Sequence, residues 1–164
     1  MTLNQDAFES YSLDAPDTES VSSEYLRIHS ELDKKSAGAD WIAAIESWDS
    51  LRQTISEWMN LTDIRFHQDT HNAQYQAAKR NSDELKPAFL DLEVGVKCRL
   101  VKTPYREIVS KEWGPHAPNL WECDIASFDP AIKEDLVKQS EQETAFTELL
   151  ASAQFTFRGE QLTL

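Results

Sequence analysis

The stretch WIAAIESWDSLRQTISEWMN, residues 41–60, constrains the fold of this chain more than any other segment. Its large apolar residues recur at intervals of three, four and seven, which is the spacing of one face of an α-helix. The residues on this face are Trp41, Ile45, Trp48, Ile55 and Trp58. Asp40, just before them, is a residue type that caps helix N-termini. The sequence therefore predicts a long amphipathic helix here.

Helical spacing is also found before and after this segment. Residues 18–35 are predicted to form a helix that ends before Gly38, since glycine is common just beyond helix C-termini. A short helix is predicted further on, with Thr103 as its cap, Pro104 at its first position and Gly114 at its end. Both predictions depend on terminal signals as much as on periodicity.

The third predicted helix contains a proline. It begins at Asp69 or Thr70, which are both suitable caps, and runs to about residue 101. Pro87 removes one backbone hydrogen bond and crowds the preceding turn, so a kink or break is predicted at residues 83–86.

The C-terminal part of the chain is predicted to be a loop followed by one long helix. Residues 114–128 contain two further prolines and show no period, which favours a loop. Asp129 and Pro130 then form a cap and first turn, and Gly159 ends the helix. No segment alternates long enough to predict a strand. The fold class is therefore predicted as all-α, a bundle of about five helices in antiparallel hairpins, one of them kinked near Pro87.

Charge and composition restrict the function. Residues 1–17 contain acidic residues and no basic one, which predicts a loosely ordered segment ahead of a helical domain at residues 18–164. The net charge is −13, with 29 acidic residues against 16 Lys and Arg. Nucleic acids and anionic membrane surfaces are bound by clustered basic residues, so neither is expected as a partner.

The sequence favours a cytoplasmic protein. No apolar run approaches the roughly 18 residues of a membrane span, and residues 1–10 have neither the basic nor the apolar region of a signal peptide. Cys98 and Cys123 are the two cysteines. Isolated cysteines in such a chain indicate reduced thiols in a reducing compartment.

One motif resembles a metal site. HQDTH, residues 67–71, places two histidines four apart, with Gln68 where zinc peptidases have the glutamate of His-Glu-x-x-His. Both histidines could bind one zinc ion if they shared a helix, but glutamine cannot act as a general base and a third ligand is required. The predicted cap between them would leave His67 before the third helix and His71 inside it. A polar helix start with partly exposed histidines is the favoured interpretation.

Other catalytic patterns are absent from the sequence. There is no Cys-x-x-Cys, no glycine-rich phosphate loop and no Gly-x-Ser-x-Gly. Glu141 and Glu143 are interpreted as part of a solvated helix face, and the tryptophans as packing residues. No catalytic, cofactor-binding or metal-ligating residue is predicted in this chain.

Several fragments, taken in order, resemble a known family. They are ADWIAAIESWDSLRQTISEWMNLTDIRFHQDT, then DELKPAF, then W…D…FDPAIKEDLVKQSE, then FTELLASAQFTFRGEQLTL. Together they are similar to the N-terminal part of oligoendopeptidase F-like proteins, in the thimet-oligopeptidase group of zinc metallopeptidases, over about residues 20–164. The resemblance lies in the order and spacing of the fragments, since none of them is a catalytic motif.

The resemblance implies a helical fold in which these helices form one wall of a groove for short peptides. It also implies that zinc is bound by a His-Glu-x-x-His helix and a later glutamate, in a C-terminal region that this sequence lacks. Residues 67–70 match a segment before any catalytic helix, so no catalytic or metal residue carries over. No cofactor is expected in this chain, and zinc is expected in the missing region.

Three hypotheses about function follow. The first is the N-terminal helical segment of a zinc-dependent oligopeptidase, truncated or split, inactive alone and able to bind a separately encoded catalytic portion or short peptides. The C-terminal GEQLTL is consistent with it, because a new segment begins there and stops, although a frayed tail explains these residues equally well. The second is a non-enzymatic helical module that binds a protein or peptide. The third is a small zinc enzyme using His67 and His71. Self-association through exposed apolar faces is also expected.

Overall fold

The structure is a computed structural model that describes residues 11–34 and 38–163. Its helices are α1 (Thr18–Asp33), α2 (Gly38–Gln68), α3 (Ala73–Leu100), α4 (Tyr105–Trp113), α5 (His116–Ser127) and α6 (Lys133–Ser152). A 3-10 turn (Pro130–Ile132) precedes α6, and an antiparallel hairpin of β1 (Gln154–Phe157) and β2 (Glu160–Thr163) follows it. Helices dominate the described residues, and the predicted all-α class is confirmed.

The hydrophobic core lies where α1, α2 and α3 meet. Each helix contributes one face with the three-and-four spacing that buries a stripe of side chains. The contributing residues are Val21, Tyr25, Ile28 and Leu32 from α1, Ile45, Trp48, Ile55 and Trp58 from α2, and Leu85, Phe89, Val96 and Leu100 from α3. Val109 adds one buried residue from α4. The face predicted for α2 is thus confirmed.

The segment before α1 is partly described. Residues 1–10 of the segment predicted to be loosely ordered lie outside the described residues. Residues 11–17 have no regular secondary structure, and Leu13 packs against the core. Asp17 caps α1, with its carboxylate accepting a hydrogen bond from the Ser20 backbone N–H at 2.8 Å. The same hydrogen bond lowers the pKa of the Asp17 carboxyl.

Several predicted helix caps are wrong. Gly38, expected beyond the end of α1, is the first residue of α2, and α1 already ends at Asp33. Asp40 therefore lies in the first turn of α2, where its charge is favourable to the helix dipole. Thr103 does not cap α4, because Pro104 takes the cap position without a side-chain hydrogen bond.

The start of α3 also differs from the prediction. Asp69 and Thr70 lie in the turn after α2, and the cap is Asn72. The Asn72 carboxamide oxygen accepts hydrogen bonds from the backbone N–H groups of Gln74 at 2.9 Å and Tyr75 at 3.3 Å. Asn72 satisfies two backbone donors that the first turn of a helix leaves unpaired.

Pro87 does not break α3. The helix is continuous from Ala73 to Leu100, so the predicted break is wrong, while a kink stays a prediction. Proline costs one backbone hydrogen bond. Pro87 is itself buried, and Leu85 and Phe89 on either side of it pack in the core, which offsets that loss.

The predicted loop at residues 114–128 is wrong, because His116–Ser127 forms α5. Pro115 occupies its cap position and Pro118 its first turn, where a helix does not need the missing N–H. Gly114, at φ 90°, provides the turn from α4. Trp121 of α5 packs against the core, so burial adds to the stability of this short helix.

The prediction that the last helix continues to Gly159 is also wrong. α6 ends at Ser152 and is followed by the two strands, which pair Phe157 with Glu160 at the turn. Arg158 and Gly159 both have positive φ, 54° and 86°, as in the two-residue turns that favour hairpins. Aromatic and β-branched residues in QFTF suit a strand.

α6 packs on α3 and contains no buried residue among those described. Its start was predicted at Asp129 and Pro130, and Asp129 does cap the 3-10 turn by accepting a hydrogen bond from the Ala131 backbone N–H at 2.9 Å.

Among the residues that the structure describes, no helix is both long and apolar enough to cross a membrane.

Candidate functional site

The two histidines of HQDTH do not lie on one helix. His67 is in the last turn of α2, with Nδ1 2.8 Å from the carbonyl oxygen of Asp63. His71 lies in the turn between α2 and α3, where its backbone N–H donates to the Asp69 carboxylate at 3.0 Å. The expected positions are therefore wrong, since His67 is inside a helix and His71 is outside. The motif ends α2 and turns the chain toward α3.

A polar cavity of about 480 Å³ lies beside His67, between α2, α3 and α6. Lys79 and Asp83 of α3 form an ion pair at 2.7 Å in its wall, and Asp83 is almost wholly buried. The other carboxylate oxygen of Asp83 accepts a hydrogen bond from the Thr144 hydroxyl of α6 at 3.0 Å. These polar contacts hold α6 against α3, and both Lys79 and Asp83 have partners.

A second polar cluster lies in the core. The Tyr25 hydroxyl donates to Glu93 at 3.3 Å, and Lys97 contacts Glu93 and Asp124 at 3.0 Å each. Burial, together with the charge of Glu93, raises the pKa of Tyr25, so its hydroxyl stays protonated and acts as a donor. The cluster links α1, α3 and α5. The buried charge of Glu93 is thereby compensated.

A third feature is a cavity of about 620 Å³ with an aromatic wall. Trp48, Trp113 and Trp121 line it, and the rings of Trp48 and Trp121 meet edge to face with centroids 5.5 Å apart. The guanidinium of Arg52 lies 5.6 Å from the centre of the Trp48 ring. Arg52 also pairs with Asp49 at 2.6 Å. The aromatic surface is therefore already occupied in part by a cation from α2.

The sequence matches the family model for the peptidase M3 N-terminal domain over residues 8–128. This is well over half of the chain. The chain belongs to the peptidase M3 N-terminal domain family. The resemblance to the N-terminal part of oligoendopeptidase F-like proteins is confirmed.

Solved structures agree with the family match. A protein described as oligoendopeptidase F is 27% identical, with a TM-score of 0.90 over 95% of this chain. PZ peptidase A, in a structure with an inhibitor, is 26% identical with the same score and coverage. An oligoendopeptidase F from Bacillus anthracis str. Ames is 25% identical, with a TM-score of 0.89 over 94% of this chain.

These matches cover a limited part of the solved relatives. The M3 N-terminal chain spans 28% of the length of each of the three. Among curated proteins no match is found. The fold of the N-terminal part is therefore established, whereas the match does not extend to most of the length of these relatives.

The described residues of this M3 domain do not fit a catalytic zinc ion. Such a site requires three protein ligands around one metal position. Within residues 11–34 and 38–163, no group of three His, Cys, Asp or Glu side chains is close enough to hold a metal ion. His67 has one carboxylate near it, that of Asp63 at 3.7 Å. No step of a zinc mechanism is therefore assigned to these residues.

Sequence reasoning missed the polar clusters of the M3 domain. Glu93 and Lys97 are four apart on α3, a spacing that normally indicates an exposed ion pair. Asp83 and Lys79 have the same spacing and were predicted to lie near a break. The signal that could have found them is their position beside the core stripe of α3, which places them at helix contacts.

Proposed function

We propose that this chain is the non-catalytic N-terminal helical part of a zinc-dependent oligopeptidase that hydrolyses short peptides. The observation that carries the proposal is the fold match at a TM-score of 0.90 over 95% of this chain and 28% of an oligoendopeptidase F. The family model over residues 8–128 supports the same assignment. In this proposal the zinc and its ligands belong to the remaining part of the peptidase, and the helices described here form a wall of the peptide groove.

We further propose that this chain, as a truncated or split part of a peptidase, does not hydrolyse peptides alone. This is supported by the separation of His67 and His71 and by the partners that already neutralise Lys79 and Asp83. A hydrolytic site needs a nucleophile or an activated water together with a base placed to receive its proton. The polar cavity between α2, α3 and α6 instead contains groups that stabilise one another.

The experiment is hydrolysis of a quenched fluorogenic peptide library by the purified chain. We expect no hydrolysis above the buffer rate, with or without added zinc and with or without a chelator. Hydrolysis that zinc restores after chelation would overturn the proposal. The variants His67→Ala and His71→Ala, with His29→Ala as the matched control, would then test the small zinc enzyme, which predicts loss of activity in the first two variants alone.

A non-enzymatic binding module is the second candidate function. The observation that favours it is a group of large apolar side chains left exposed on α6 and β1, including Phe146 and Phe157. The two functions are separated by the partner. The peptidase proposal requires that the bound partner supply zinc-dependent hydrolysis, whereas the binding module requires a stable complex with a partner that hydrolyses no peptide.

The proposal also places the protein in the cytoplasm. Cys98 and Cys123 both carry unpaired thiols, Cys123 with an exposed side chain. Unpaired exposed cysteines are typical of reducing compartments. Thiol labelling of intact source cells, followed by lysis and fractionation, would test this. Recovery in a secreted or periplasmic fraction would contradict it.

A further inference from the structure

The aromatic wall of the cavity of about 620 Å³ is covered only in part by the chain itself. Trp48 is 1% exposed, and the Arg52 guanidinium lies over its ring. Trp113 is 42% exposed, and among the described residues no aromatic ring or cation is stacked on it. A cavity of about 300–1,000 Å³ is typical of sites for small ligands. This cavity therefore has ligand dimensions and an accessible indole.

The charged side chains that line this cavity are Glu46, Asp49 and Arg52, all from α2. Both oxygens of the Asp49 carboxylate already accept hydrogen bonds, one from Arg52 and the other from the Gln53 amide, each at 2.6 Å. Glu46 is exposed, and no basic side chain in the described part of the chain pairs with it. One carboxylate of the cavity is therefore left for a ligand.

A cation is the ligand class that an indole and a carboxylate both attract. Guanidinium suits the pair better than ammonium, because it is planar and weakly hydrated, stacks on aromatic rings and binds a carboxylate through two N–H groups. The chain itself contains this arrangement. Arg52 donates through Nε and Nη2 to Asp49 at 3.2 and 2.6 Å while its guanidinium lies 5.6 Å from the centre of the Trp48 ring. The net charge of −13 also favours the approach of a cation.

We propose that this cavity binds an arginine side chain of a polypeptide partner, with the guanidinium stacked on Trp113 and paired with Glu46. Both residues line the same cavity. Ile45, Ala117 and Trp121 line it as well and provide apolar surface for the methylene groups of the arginine. The inference goes beyond the proposed peptidase function and does not rest on it, because every residue of the site belongs to this chain and binding requires no hydrolysis.

The test is a heteronuclear NMR titration of the full chain with N-acetyl-arginine N-methylamide, using the indole N–H signals of the five tryptophans as reporters. We expect the signals of Trp113 and Trp121 to shift until saturation. The signal of Trp58, which lines a different cavity, should stay in place. The corresponding citrulline derivative has a similar shape without the charge and should bind more than about fivefold more weakly. This comparison uses wild-type protein and does not depend on the folding of any variant.

Two variants test the residues of the site. Glu46→Gln removes the free carboxylate and should weaken binding of the arginine derivative more than about fivefold. Glu57→Gln is the matched control, since it removes the same charge from another exposed position of α2, and should change the affinity less than about twofold. Trp113→Leu removes the indole and should weaken binding about threefold.

Several results would overturn the arginine site. They are no saturable shift in the wild type, equal binding of the citrulline derivative, equal effects of Glu46→Gln and Glu57→Gln, or shifts centred on Trp58. Guanidinium ion that binds as tightly as the arginine derivative would assign the cavity to a small free cation and overturn the polypeptide partner. None of these results bears on the peptidase function, which the fluorogenic peptide assay tests separately.

Discussion

The α1–α3 core and the α6–hairpin segment are both made of regular elements, yet they use their side chains in opposite ways. In the core, Tyr25, Ile28 and Leu32 are at most 1% exposed, and each helix turns its apolar face inward. In the α6–hairpin segment, Phe146 and Leu149 are more than half exposed, and the junction with α3 includes the hydrogen bond from Thr144 to Asp83 and the half-buried Val137. Helical periodicity is therefore satisfied in both regions, but within the described chain only the core buries its apolar face.

This difference indicates how stability is distributed. Burial of apolar area is the main stabilising contribution in a small domain, at about 25 cal/mol per Å². The core gains it, whereas α6 relies on contacts such as Thr144 with Asp83 and Lys133 with Asp91, the latter at 3.8 Å between charged atoms. Exposed ion pairs contribute about 0–1 kcal/mol each. Substitutions should therefore have unequal effects in the two regions.

The largest difference in unfolding free energy is expected between the substitution of a buried lysine and that of an exposed lysine. Lys97→Met leaves the buried Glu93 carboxylate without its cation, which should cost about 3–5 kcal/mol of unfolding free energy. Lys138→Met is the matched change on α6, where the Asp135 partner is 77% exposed, and should cost less than about 1 kcal/mol. Urea denaturation measures both. Equal losses would remove the distinction between the regions.

A comparable test uses two leucines. Leu32→Ala creates a cavity in the core and should lower the unfolding free energy by about 2–5 kcal/mol. Leu149→Ala, at a position that is 66% exposed, should change it by less than about 0.5 kcal/mol. Thermal and urea unfolding give the two values. A large loss for Leu149→Ala would show that α6 buries its apolar side in solution.

The junction between the regions is tested with two threonines of α6. Thr144→Val removes the hydroxyl that hydrogen-bonds to Asp83, and should cost about 1 kcal/mol. Thr147→Val is the control, because the Thr147 hydroxyl donates to the Glu143 carbonyl of its own helix. Faster hydrogen exchange in α6 of Thr144→Val, with the core unchanged, is the expected readout. Equal exchange in both variants would contradict a polar attachment of α6.

The smallest expected effect is on the pH dependence of stability. Burial, followed by the charge of Arg99, lowers the pKa of His29 below 6.5, while Asp33 opposes the shift. The folded state then binds this proton more weakly than the unfolded chain. The stability contribution of His29 is complete above pH 6.5 and is lost as pH falls from there through the lower folded pKa.

His29→Gln should therefore flatten the stability curve in that window, and His71→Gln, at an exposed position, should leave its shape unchanged. Urea denaturation at a series of pH values is the measurement. A curve for His29→Gln that parallels the wild type would show that His29 does not contribute.

Much of the fold could be predicted from local signals. The apolar stripe of α2 was enough to predict this helix, because periodicity over about 20 residues is a strong signal. α5 was missed because two prolines suggested a loop, although both sit where a helix start tolerates them. The hairpin was missed because Phe157 also fitted a helical spacing, and the turn at Arg158 and Gly159 was interpreted as a helix end.

The polar clusters could not be predicted in the same way. Glu93 and Lys97 look like an exposed pair in the sequence, and their burial depends on Tyr25 and Asp124, which are 68 and 27 positions from their respective partners. Such contacts follow from the packing of three helices and leave no local pattern. The same holds for the separation of His67 and His71, which is decided by where α2 ends.

The polar attachment of α6 to α3 also has a consequence for how the chain opens. A segment held by few buried apolar contacts can detach in a partial unfolding event whose free energy is well below that of global unfolding. The backbone amides of α6 should then exchange with solvent, and its peptide bonds become accessible to proteases, while the core stays folded. A surface that covers Phe146 and Leu149 would join this segment to a larger cooperative unit and protect the amides of α6 along with those of the core.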